Sequence, residues 1–248
     1  MTPEQARANV RRMFVWQFLT GLHFFAGVLI PFFTDWGGIT FSQVMWLQTW
    51  FVFWIFVLEV PTGAVADFMG RKASLLCSAV CLIAAVLIYA SGKGLPRFLF
   101  AEFMWAAALA FSSGADESMV YDSLKSSGLE PEAKTALGRL RSFQIGAIAV
   151  AAPLGSLMAA RWGMTAPLLA GAVPFTAALL VAASLREPAG EVEERKRYWD
   201  TLTRGVRYFV NHPPLRRLAW DAVSVWVFSF MSIWLYQPRL RELDFPLA

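Results

Sequence analysis

The chain has 248 residues, 57% of them hydrophobic and only 16% charged, and its mean hydropathy is +0.48. A soluble domain carries about 25% charged residues, so the composition excludes an ordinary water-soluble domain and points to an integral membrane protein. The net charge of +4 does not imply a nucleic-acid partner, because the bases lie between apolar segments instead of clustering on one surface.

Arg7, Arg11 and Arg12 precede a first apolar run at residues 14–33. The run is about one bilayer span long and further spans follow it, so it is a retained first helix and not a cleaved signal. Asp35-Trp-Gly-Gly38 turns the chain, and Ser42 is the predicted N-cap of a second span that ends near Ala66. A third span covers 73–91 and a fourth 98–114, separated by the turn Gly92-Lys-Gly-Leu-Pro96. Residues 116–136 form a polar connection interrupted by Gly128 and Pro131. Spans five and six are expected at 143–160 and 166–185. Pro188, Gly190 and the charge run 191–197 then mark a linker. Within it Tyr198, Leu202, Val206 and Phe209 repeat at helical spacing, the pattern of an amphipathic surface helix. A seventh span is expected at 218–236.

Most of the 22 bases fall in alternate connections on one side; only Lys93, Arg97, Arg161, Arg239 and Arg241 fall on the other. That asymmetry predicts a cytoplasmic N-terminus and a cytoplasmic connection between spans two and three. Cys77 and Cys81 lie i,i+4 inside an apolar run. Two thiols do not make a zinc site, so they read as packing residues. No nucleophile elbow, metal-ligand spacing or phosphate loop is present, and neither a catalytic residue, a metal nor a cofactor is implied.

The connection between spans two and three reads Gly63-x-x-x-Asp67-x-x-Gly70-Arg71-Lys72. In this place it resembles the signature loop between helices 2 and 3 of the major facilitator superfamily of transporters. Ser113-Gly-Ala-Asp-Glu-Ser-Met-Val-Tyr-Asp-Ser-Leu124 is similar to the end of helix 4 in bacterial members. The resemblance implies an all-α integral membrane fold with a six-helix N-terminal bundle at 1–185. A cytoplasmic linker with an amphipathic helix would follow at 186–216. Residues 217–248 would hold a seventh transmembrane helix and the start of an incomplete C-terminal half, so the chain reads as a fragment. The implied function is secondary active transport of a small solute by alternating access between two pseudo-symmetric halves. The implied location is the bacterial inner membrane, with a proton as a candidate coupling ion.

In the family the loop works as a latch. Asp67 would accept hydrogen bonds at a neighbouring helix N-terminus, and Arg71 and Lys72 would pair with acids at other helix ends. Gly63 would permit close helix approach and Gly70 a tight turn. Asp116, Glu117 and Asp122 are candidate counter-ions for Arg71, Lys72, Arg139 or Arg141. Two departures stand out. Glu102 occupies roughly the place of an arginine found in proton-coupled members, and Ala152-Pro153-Leu-Gly155 only partly matches the helix 5 motif of drug antiporters.

Carboxylates at membrane depth are costly and mark functional positions. Glu59 lies about 12 Å deeper than Asp67 at the helical rise; it fits either an anchor for the end of span two or a transport role. Glu102 heads a stripe with Ala106, Leu109, Ser113 and Asp116, and Asp221 one with Ser224, Phe228 and Ser232. Both stripes suit the walls of a central cavity. Gln17 and His23 are polar positions of span one on different faces; His23 fits either a packing or a titrating role. Ala147, Ala151, Gly155 and Ala159 make a small-residue stripe suited to close helix packing. Two other classes compete with the transporter: a membrane-embedded enzyme using Glu59, Glu102 and His23, and a seven-span regulatory or assembly protein.

Overall fold

The computed structural model describes residues 1–188, 207–208 and 210–242. The chain divides into two compact units, Met1–Gly190 and Glu191–Ala248.

In the first unit the helices are α1 (Pro3–Thr20), α2 (Phe41–Met69), α3 (Arg71–Ala90), α4 (Leu95–Ser112), α5 (Ala115–Lys125), α6 (Ala133–Trp162) and α7 (Ala166–Ser184). Helical turns at Phe24–Val28, Leu29–Pro31 and Phe32–Trp36 extend α1 toward α2. Among the described residues six segments are long and apolar enough to cross a membrane: Pro3–Trp36, Phe41–Met69, Arg71–Ala90, Leu95–Lys125, Glu130–Trp162 and Ala166–Ser184. The second unit contains α8 (Pro213–Glu242), a 30-residue helix that includes the expected seventh span and stands outside those six. The expected amphipathic helix at 198–209 lies almost wholly outside the described residues.

Four local expectations are corrected. The first span is not one continuous helix, because the chain breaks at Gly21–His23 between α1 and the Phe24–Val28 turn. The cause is close packing on α6. A Cβ on Gly21 would lie 3.0 Å from both the Ala147 Cβ and the Gln144 carbonyl, and one on Gly155 would strike the Phe24 carbonyl. All four stripe residues, Ala147, Ala151, Gly155 and Ala159, are buried. The N-cap of α2 is Thr40, not Ser42: the Thr40 hydroxyl accepts from the Gln43 N–H at 3.3 Å, and Gln43 Oε1 accepts from the Thr40 N–H at 2.8 Å.

The polar connection at 116–136 is itself largely helical. Ala115, Met119, Val120 and Leu124 recur at helical spacing and are buried in the core. The turn comes only at Gly128, with φ +74°, before Pro131 enters a single 3-10 turn. Finally, the stripe headed by Glu102 is interrupted, because α4 ends at Ser112 and Asp116 belongs to α5.

Within the first unit α4 packs against α2 and α3, α3 against α7, and α1 against α6 and α7. Where α4 ends, its carbonyls are taken up by hydroxyls of its neighbours. Thr62 donates to the Ala110 carbonyl at 3.0 Å, Ser74 to Phe111 at 2.6 Å and Ser78 to Ala108 at 2.8 Å. A bilayer core offers no water for those groups, so the helix end needs such partners. At 29 residues, α2 is about 44 Å long and exceeds the roughly 30 Å hydrocarbon layer.

Candidate functional site

The connection between α2 and α3 is one residue, Gly70, at φ +100° and ψ 159°. Gly63 and Asp67 therefore lie on α2, while Arg71 and Lys72 open α3. Helical spacing brings Asp67 Oδ1 to 2.8 Å from Arg71 Nη1. From the other side, Asp122 Oδ2 on α5 lies 3.8 Å from Arg71 Nε, close enough for an ion pair but not a hydrogen bond. The Arg71 guanidinium is thus held between two carboxylates from two helices. Gly63 is half-buried on α2, next to Thr62 and its bond to α4.

The acid at the α3 N-terminus is Glu187, not Asp67. Glu187 Oε1 accepts from the Arg71 N–H at 2.7 Å and Oε2 accepts from the Lys72 N–H at 2.8 Å. Two orphan donors of the first turn are satisfied by one carboxylate, and the helix dipole favours the charge there. A Cβ on Gly70 would lie 2.8 Å from the Glu187 carboxyl carbon.

Glu187 is positioned by its neighbour. The buried Asn9 side chain donates to the Arg186 carbonyl at 2.7 Å and accepts from the Arg186 N–H at 3.1 Å. The same amide donates to Ser123 Oγ at 3.2 Å, and Arg12 Nη1 donates to the Ser184 carbonyl at 2.9 Å. Asn9 and Glu187 were not candidates from sequence. The signal for Glu187 is an acid directly after the sixth span, in Arg186-Glu187-Pro188; polarity alone places it in the linker.

The other acids of this end separate. Glu117 Oε1 pairs with Arg141 Nη2 at 2.7 Å. Asp116 is buried and accepts from the Glu117 N–H at 2.7 Å, a local contact in the first turn of α5. Among the three candidate counter-ions only Asp122 meets Arg71.

The polar residues at membrane depth do not converge. Glu102 is buried on α4, where Gln48 Nε2 from α2 donates to its Oε1 at 3.1 Å. Glu59 is exposed and accepts from Ser113 Oγ at 2.8 Å. His23, at the break after α1, stacks on Phe25 at 5.6 Å and meets the edges of Trp105 at 5.3 Å and Phe175 at 6.5 Å. Gln17 is buried, and neither its Oε1 nor the adjacent Trp16 Nε1 has a hydrogen-bond partner among the described residues. Asp221 is exposed on α8 in the second unit. Glu59, Glu102 and His23 therefore have three separate sets of partners, which argues against a shared acid–base centre.

No curated protein matches the sequence. The family model of the Major Facilitator Superfamily matches residues 13–247, nearly the whole chain. With six membrane-length segments in an all-helical bundle and the charged α2–α3 junction in place, the chain belongs to the Major Facilitator Superfamily, a family of membrane transporters of small molecules.

Proposed function

We propose that the chain serves secondary active transport of a small solute by alternating access, with the α2–α3 junction as a cytoplasmic gate. The observation that carries this reading is the Arg71 guanidinium between Asp67 and Asp122, with Glu187 bound to the backbone of the same residue. The four residues bring α2, α3, α5 and the segment after α7 to one point. Half-exposed pairs of this kind contribute about 0–1 kcal/mol each. That is small enough to exchange during a cycle and, summed over the cluster, large enough to bias two conformations.

Gly63, Asp67, Gly70, Arg71 and Lys72 form the gate, with Asp122 as counter-ion; Glu117 supports it through Arg141. The solute path runs past the broken first helix, where Gln17 offers an oxygen with no partner among the described residues and His23 an aromatic surround. Interrupted helices mark binding sites in transporters of this architecture. Glu102 is the proposed coupling group, as the buried carboxylate of α4. Glu59 serves as an anchor to Ser113. The apolar windows of α2 and α6 are only 11% and 22% buried, against 39–50% for the other four segments. These two helices carry the surface on which a second bundle would pack. The basic end faces the cytoplasm of a bacterial inner membrane.

The test is transport by the complete protein after Asp67→Asn, on a solute found by a ligand panel. Reduced flux with normal membrane insertion supports the gate, and unchanged flux removes it.

A further inference from the structure

Beside the gate, at the same charged end of the bundle, α1 and α6 enclose a cleft of about 490 Å³. Its walls are two matching helical stripes. Arg7, Val10, Arg11 and Phe14 follow the i, i+3, i+4, i+7 pattern on α1, and Glu132, Thr135, Ala136 and Arg139 repeat it opposite, along α6 and the turn that leads into it. At the outer level Arg7 Nη2 pairs with Glu132 Oε1 at 2.8 Å. At the inner level the rings of Phe14 and Phe143 stack with centroids 5.2 Å apart and planes 15° from parallel. Between these levels lie Arg11 and Arg139, both exposed. The Arg7–Glu132 pair cancels its own charge, so two guanidiniums remain to set the sign of the cleft.

We infer that this cleft binds the phosphate of an anionic phospholipid, with Arg11 and Arg139 on the headgroup and the acyl chains running over the Phe14–Phe143 stack. A phosphate-bearing anion fits the two guanidiniums, which are suited to paired donation to its oxygens. The order of the levels selects a lipid over a dissolved phosphate. A charged rim gives way within one helical turn to stacked aromatic rings, and beyond them Val15 and Ile145 are exposed apolar residues. A free phosphate would gain nothing from that apolar floor. Basic clefts between transmembrane helices at the membrane surface are suited to lipid headgroups, and each base contributes on the order of 1 kcal/mol there. The inference is independent of the transport cycle, since it concerns residues outside the gate and outside the polar positions of the bundle interior.

The test is a titration of the purified full-length chain in neutral detergent with dihexanoyl phosphatidylglycerol, dihexanoyl phosphatidylcholine and glycerol 3-phosphate. The readout is binding heat together with the shift in melting temperature. Phosphatidylglycerol is expected to bind at least about tenfold tighter than the other two. R11Q/R139Q should lose about tenfold or more of that affinity, whereas R11K/R139K should keep most of it. Thr135→Glu, which leaves both arginines but adds a carboxylate to the cleft wall, should weaken binding as well and serves if R11Q/R139Q does not fold. Equal binding of both lipids, or undiminished phosphatidylglycerol binding in R11Q/R139Q and Thr135→Glu, overturns the site. Glycerol 3-phosphate binding as tightly as the lipid overturns the lipid assignment in favour of a soluble phosphate.

Discussion

The Glu187 carboxylate grips the backbone of Arg71 at 2.7 Å and of Lys72 at 2.8 Å, 116 and 115 residues away in the chain. The exit of the sixth membrane-length segment is thereby fastened to the entrance of the third. The side chain of Arg71 is engaged separately by Asp67 and Asp122. One residue thus takes part in a backbone anchor and a side-chain clamp that can be removed independently.

Glu187→Ala should expose the first amides of α3. The expected loss of stability is about 1 kcal/mol, the scale of a charged group at a helix N-terminus. Hydrogen exchange at residues 71–74 should accelerate several-fold while exchange in the middle of α3 is unchanged. Unaltered exchange at 71–74 would show that the anchor contributes nothing.

Gly70→Ala should be worse tolerated than its small volume suggests. The position has φ +100° and ψ 159°, a region occupied almost only by glycine, and the Cβ would meet the Glu187 carboxylate at 2.8–3.0 Å. A cost of about 1–3 kcal/mol follows from the backbone alone. Thermal unfolding of the purified protein measures it, and the double variant Gly70→Ala/Glu187→Ala should recover the part due to the carboxylate.

Gly155 and Gly146 lie on the same helix and offer an internal comparison. A Cβ at Gly155 collides with the Phe24 carbonyl, whereas one at Gly146 has nothing within 4 Å. Gly155→Ala should lower the melting temperature, by about 1–3 kcal/mol in stability terms. Gly146→Ala should leave it unchanged or raise it by up to about 1 kcal/mol. Equal effects would mean that α6 does not approach the broken first helix as closely as described.

Glu102→Gln keeps the size of the side chain and can still accept from Gln48. If Glu102 couples transport to protons, the variant should fold and insert normally but lose the pH dependence of flux. A retained pH dependence would assign the residue to packing between α2 and α4.

The sequence made the membrane class, six spans and the signature residues legible because each rests on a long or charged pattern. Apolar runs of bilayer length persist whatever their neighbours do, and Asp67 and Arg71 are four apart on chain that is nearly continuously helical. The break at Gly21–His23 was not legible, since an apolar run carries no mark of where another helix presses on it; only the glycines at 21, 27 and 155 hinted at contact. In the helix Ala115–Lys125 the charged residues mask the helical spacing of Ala115, Met119, Val120 and Leu124. Thr40 with Gln43 forms a capping box two residues before Ser42, and both hydroxyl residues suit an N-cap by type alone. Glu187 could not be placed by local reasoning, because its partner lies in another part of the chain.

The most direct test of the gate compares flux through the complete protein with wild-type residues, with Asp67→Asn, with Asp122→Asn and with both substitutions together, at matched amounts in the membrane. Each single variant is expected to reduce flux severalfold and the double variant to be little worse than either, because both acids act through Arg71. Wild-type flux in Asp67→Asn, or fully additive losses in the double variant, would contradict the gate.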